Sequence, residues 1–162
     1  MFVIILYFIC MTGKTYKSIL YHVVFRTKYN RQFITEERKN IIYDFILSIC
    51  KKNGYYLHCI GGIENHVHLL IYISPRTSVA KAIGNIKGAT SYFYNSRYGF
   101  DEKLKWQRGY GVFTVSPENY QKIYNYINKQ FEHHKYKKTI KQYETYDNIN
   151  NIASYEKDAK AP

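Results

Sequence analysis

Period-two alternation runs from Tyr16 to Arg26, where Ile19, Tyr21, Val23 and Phe25 oppose Ser18, Leu20, His22 and Val24. That spacing predicts a strand, ended by the polar turn Thr27-Lys28-Tyr29-Asn30-Arg31. Thr35 then caps a helix whose first turn holds Glu36 and Glu37, where carboxylates complement the helix dipole. Ile41, Ile42, Phe45, Ile46 and Ile49 recur at helical spacing, and Asn53-Gly54 stops the run. Tyr55 to Gly61 reads as a second strand, turned by Gly62-Ile63-Glu64-Asn65 into a third that starts at His66. Pro75-Arg76-Thr77-Ser78 introduces a second helix with Val79, Ala82, Ile83, Ile86, Ala89 and Phe93 on its buried side, ending near Tyr98-Gly99. Tyr110 to Val115 is a short fourth strand. Ser116 at the N-cap and Pro117 at the first helical position open a last helix that buries Ile123, Ile127 and Phe131. The order β-α-β-β-α-β-α predicts an α+β domain: a ferredoxin-like or palm-like antiparallel sheet with helices packed on one face, plus this C-terminal helix.

The ends of the chain differ from its middle. Residues 1–10 are apolar, but a membrane-spanning helix needs about 20 residues, and the flanks lack the basic start and small-residue cleavage site of a signal peptide. Residues 1–13 are therefore expected to be an extension, with translation starting at Met11 or at Met1, and no membrane association is expected. Residues 14–137 form the expected domain, and residues 138–162 a polar tail with little apolar pattern.

Charge narrows the class of partner. Lys and Arg number 24 against 12 Asp and Glu, a formal net charge of +12 over 162 residues. Such an excess favours a polyanion, nucleic acid first and an anionic membrane surface second. Lys, Asn, Ile and Tyr all have AT-rich codons, so an AT-rich genome is an alternative source of part of this bias. The three cysteines Cys10, Cys50 and Cys59 have no metal-ligand spacing, which fits a reducing cytoplasm.

Two short constellations supply candidate chemistry. His66 and His68 are two apart on a strand, so both imidazoles leave the same face and can share one metal ion. Tyr126 and Gln130 are spaced i, i+4 on the last helix, which stacks phenol and amide on one helical face at the flank of the apolar stripe. A metal held by two histidines and an amide oxygen, with a tyrosine beside it, suits attack on a phosphodiester. Each part has a plainer reading: solvent-facing histidines, a packing tyrosine among nineteen, a surface amide. Glu64 is expected on the face of His66, where it could orient a ligand or accept a proton. His133 returns to the Tyr126 face one turn beyond Gln130, as a candidate phosphate or metal neighbour.

Taken together the motifs are specific. His66-Val67-His68 is an HUH motif, and Tyr126-Ile127-Asn128-Lys129-Gln130 resembles the catalytic-helix motif of single-tyrosine HUH transposases of the IS-two-hundred type of insertion sequence. Tyr21-His22-Val23-Val24-Phe25-Arg26-Thr27-Lys28-Tyr29-Asn30-Arg31 is similar to that family's first strand and basic turn, and Trp106-Gln107-Arg108-Gly109-Tyr110 to its segment before the tyrosine helix. The resemblance spans roughly Tyr16 to Tyr136.

It implies a homodimer that cuts and rejoins single-stranded DNA, folded into hairpins, at the ends of a mobile element. Tyr126 would be the nucleophile, forming a 5′-phosphotyrosine link. His66, His68 and Gln130 would hold a divalent cation, Mg²⁺ or Mn²⁺. Lys28, Arg31, Lys87 and Arg108 are the expected phosphate contacts. The first strand, rich in apolar residues and free of Lys or Pro from Ile19 to Phe25, is the expected pairing edge across a two-fold axis. Two other readings stay open: a different HUH endonuclease, REP-associated or domesticated, and a ferredoxin-like nucleic-acid-binding module without catalysis.

Overall fold

A computed structural model describes residues 17–99, 102–130, 132 and 136. The extension at residues 1–13, the tail at 138–162, Cys10, Phe131 and His133 lie outside the described residues. Four strands form one antiparallel sheet: β1 (Tyr21–Arg26), β2 (Tyr56–Ile63), β3 (His66–Tyr72) and β4 (Gly111–Thr114), in the order β2-β3-β1-β4. Helices α1 (Glu36–Lys52), α2 (Val79–Tyr98) and α3 (Tyr120–Asn128) complete the predicted order of elements.

The hydrophobic pattern explains the layers. Odd-numbered residues of β1 and β3 (Val23, Phe25, Val67, Leu69 and Ile71) point to one face and join Ile42, Ile46 and Ile49 of α1 with Ala82, Ile83 and Ile86 of α2. Even-numbered positions point the other way, where Leu70 packs with Cys59, Val115 and the α3 residues Ile123 and Ile127. Helices therefore cover both faces, α1 and α2 on one and α3 on the other. β1 is buried on both faces because it is a central strand between β3 and β4, and the expectation that it forms an open pairing edge is corrected. Among the described residues the sheet's edges are β2 and β4.

Local signals behave unevenly. Ser78 caps α2 as its position predicts, its hydroxyl accepting from Lys81 N at 3.3 Å. Gly54 ends α1 in the left-handed region at φ +70°, which suits a residue without Cβ. Thr35 has N-cap geometry, yet its hydroxyl makes no capping bond; only its carbonyl accepts, from Arg38 N and Lys39 N. Ser116-Pro117 opens a single 3-10 turn instead of α3, because Asn119 folds back onto Ser116 through both its backbone N–H and its side-chain amide. No helix among the described residues is long and apolar enough to cross a membrane.

Candidate active site

The face under α3 is where the chemistry-bearing residues meet. Antiparallel register sets Arg26 opposite His66 and Val24 opposite His68, with Gly61 of β2 on the other side of His68. The His66 and His68 rings are 4.9 Å apart between centroids. α3 brings Tyr126 to His68, its ring centroid 6.0 Å from that of His68. Gln130, just past the helix, donates from Nε2 to the Tyr126 carbonyl oxygen at 3.3 Å.

All four residues are buried: His66 is 1 % exposed, His68 0 %, Tyr126 3 % and Gln130 1 %. The spacing argument had put Tyr126 and Gln130 at the flank of the apolar stripe. Close docking of α3 onto its own sheet covers that flank as well. It also closes the site in this conformation.

A hydrogen bond occupies Nδ1 of each imidazole. His66 Nδ1–H donates to Asn65 Oδ1 at 2.7 Å, which leaves the lone pair of a neutral ring on Nε2. His68 Nδ1 shares a hydrogen bond of 2.8 Å with Nε2 of His22, a residue on β1 that is 0 % exposed. His22 and Asn65 are the residues that sequence reasoning missed as parts of the site. His22 gave one signal, a polar side chain in an otherwise apolar run, but its partner is 46 positions away.

The donor set can be tested against a divalent cation. Gln130 Oε1 is buried and accepts no hydrogen bond from another described residue, while its Nε2 is held at the Tyr126 carbonyl oxygen. No cluster of three His, Cys, Asp or Glu side chains that could hold a metal occurs among the described residues. Two imidazoles with one amide oxygen are thus the donors offered, a set that fits a cation which keeps positions for phosphate oxygen and water.

Comparison with known sequences decides the family. The model of the family described as "Transposase IS200 like" matches residues 15–130. The chain belongs to that family. The transposase for insertion sequence element IS200 of Salmonella typhimurium is 33 % identical to it over 121 residues, 71 % of this chain and 78 % of the relative. The ISDra2 transposase TnpA of Deinococcus radiodurans is 28 % identical over 117 residues, 69 % and 84 % of the two chains. Among solved structures, a putative transposase from Deinococcus radiodurans R1 superposes with a TM-score of 0.59 at 27 % identity, covering 73 % of this chain and 95 % of that one. A REP-associated tyrosine transposase bound to a REP hairpin shares the fold with a TM-score of 0.58 at 11 % identity, covering 75 % and 73 %.

The remaining candidates of this transposase scatter. Glu64 sits in the β2–β3 turn and lines a small cleft with Glu36 and Lys39 on the α1 side, while its neighbour Asn65 is the residue that holds His66. Lys28 and Arg31 are exposed in the turn after β1, around Tyr29, which is 79 % exposed and held at φ +59°. Lys28 Nζ lies 4.9 Å from the Tyr29 ring centre, and Arg31 pairs with Glu102. Arg108 is exposed. Lys87 is not: its ammonium donates to the carbonyl oxygens of Gln107, Arg108 and Gly109 at 2.7, 3.2 and 2.7 Å. Burial pushes its pKa down to about 8. An ammonium has three donors, and all three are committed to this loop, so Lys87 anchors the backbone that carries Arg108 and has none left for a phosphate.

Proposed function

We propose that this transposase cuts and rejoins single-stranded DNA at hairpin-bearing element ends, with Tyr126 as nucleophile and a divalent cation held by His66, His68 and Gln130. The observation that carries the reading is the approach of Tyr126 to the histidine pair, 6.0 Å between the Tyr126 and His68 rings, by residues 58 positions apart in sequence. Packing alone does not call for two buried imidazoles, a phenol and an amide in one apolar layer, because each polar group loses hydration on burial.

Tyr126 loses its phenolic proton, its Oη forms a bond to phosphorus, and the bond from phosphorus to the 3′-oxygen breaks. The leaving 3′-oxygen takes up a proton, and the 5′ end stays on Tyr126 as a phosphodiester. That link retains the energy of the broken bond, so attack by another 3′-OH reverses the step and reseals DNA without ATP. Bound Mg²⁺ or Mn²⁺ supplies charge stabilisation at the phosphate. His66, His68 and Gln130 would hold such an ion.

A side chain only 3 % exposed cannot meet a DNA phosphate, so the reading requires α3 to move before cleavage. Two ends must be cut to free an element, and one tyrosine per chain makes one link, which favours a homodimer. Hairpin recognition is supported by the net charge of +12 and the exposed turn at Lys28 and Arg31.

The test is Tyr126→Phe, which removes only the attacking oxygen. The variant is expected to bind a hairpin oligonucleotide like the parent and to form no covalent protein–DNA adduct on a denaturing gel. An adduct with Tyr126→Phe would assign the chemistry to another tyrosine.

A further inference from the structure

We infer that His22 is a positioning residue of this site: it accepts a hydrogen bond from His68 Nδ1–H and so holds His68 in the tautomer whose Nε2 can bind the cation. The inference rests on the reading of His66 and His68 as cation ligands. The two imidazoles are separated by 46 positions and joined only by the fold. β1 and β3 pair with Val24 opposite His68, so His22 is the diagonal neighbour of His68 on the same sheet face.

The geometry is that of a directed hydrogen bond. The rings are 20° from coplanar with centroids 5.1 Å apart, and the Nε2–Nδ1 separation is 2.8 Å. A face-to-face stack would not join ring nitrogens at that distance while holding the centroids so far apart; the rings meet edge to edge along the N···N line. Both residues are 0 % exposed. A valine would fill a central strand position without the desolvation that a buried imidazole incurs.

One proton lies between the two nitrogens, and its position has consequences at the far side of each ring. If His22 donates, His68 accepts at Nδ1 and carries its own proton on Nε2, which then cannot ligate. If His68 donates, its Nε2 bears the lone pair and His22 carries its proton on Nδ1. The second arrangement matches His66, whose Nδ1 is held by Asn65 Oδ1 at 2.7 Å. Each histidine of the pair is thus gripped from behind at Nδ1, one by an amide and one by a third histidine.

The full chain serves for the test, with Mn²⁺ alone as probe. His22→Leu removes the acceptor and His22→Gln keeps one, its Oε1 replacing Nε2. Calorimetric titration is expected to show Mn²⁺ binding weakened about 10- to 100-fold in His22→Leu, and within a few-fold of the parent in His22→Gln. Hairpin affinity is expected to stay unchanged in both. Long-range ¹⁵N–¹H spectra of the metal-free protein are expected to show His68 protonated at Nδ1 in the parent and in His22→Gln. Should His22→Leu not fold, the spectrum of the parent still decides. Parent Mn²⁺ affinity in His22→Leu alongside its loss in His68→Ala overturns the role of His22 alone. Unchanged Mn²⁺ affinity in His68→Ala overturns the ligand reading and this inference with it. An Nε2–H tautomer at His68 in the parent also overturns the inference.

Discussion

Gly61 and Ile127 touch through their backbones. A Cβ at Gly61 would lie 2.0 Å from the Ile127 carbonyl oxygen, a distance no side chain tolerates. Gly61 is also the cross-strand partner of His68, and Ile127 follows Tyr126 directly. The missing side chain is what lets α3 descend onto the sheet, and this descent brings the phenol to the imidazoles.

Gly61→Ala is therefore expected to lift α3 away from β2, costing about 1–3 kcal/mol as overpacking does. Hydrogen exchange should rise in residues 120–128 while α1 and α2 stay protected, and adduct formation should fall. Unchanged protection in α3 would show that the helix is held elsewhere.

Chelation provides the second prediction. EDTA is expected to stop cleavage by the parent protein, and added Mg²⁺ or Mn²⁺ to restore it. His66→Ala and His68→Ala should lose cleavage at any cation concentration. Both side chains are buried, so each alanine leaves a cavity, and melting temperatures measured in parallel must separate lost ligation from lost fold. Full activity in EDTA would remove the cation from the mechanism.

Two lysines of equal charge are expected to behave differently. Lys28→Ala should weaken hairpin binding and lower the slope of log affinity against log salt by about 1, with no change in urea stability. Lys87→Met should leave the salt slope alone and lower stability by about 2 kcal/mol, because its hydrogen bonds to the 107–109 loop are lost. Equal effects of both variants on the salt slope would return Lys87 to the DNA interface.

Assembly is the fourth. With β1 in the sheet interior, a shared sheet is expected to form at β2 or β4, the edges among the described residues. β2 has an irregular register between Leu57 and Cys59, which spoils a pairing edge, whereas β4 is short and regular with Val112 38 % exposed. Light scattering is expected to return about twice 19.4 kDa for the parent and a single mass for Val112→Lys. A monomer that performs both cleavage and strand exchange would overturn the dimer.

Hydrophobic periodicity determined the elements and their order by itself, because the burial that drives each helix or strand is written in its own spacing. The same holds for the pairing of His66 with His68, which strand geometry places on one face, and for Tyr126 with Gln130 one turn apart. Partners distant in sequence were decided only by tertiary structure. β1 reads as an edge strand from its residues and is central in the sheet, since an apolar run cannot say whether a neighbour chain or its own domain covers it. Lys87 reads as a surface cation, and three carbonyls from residues 107–109 draw it inside. Thr35 and Ser116 read as caps, and local folding gives their hydroxyls other surroundings. His22 is one more strand residue until antiparallel register sets it diagonally across from His68. A hydrogen bond between side chains 46 positions apart leaves no periodic trace in the chain, because it depends on register and backbone approach that only the assembled sheet defines.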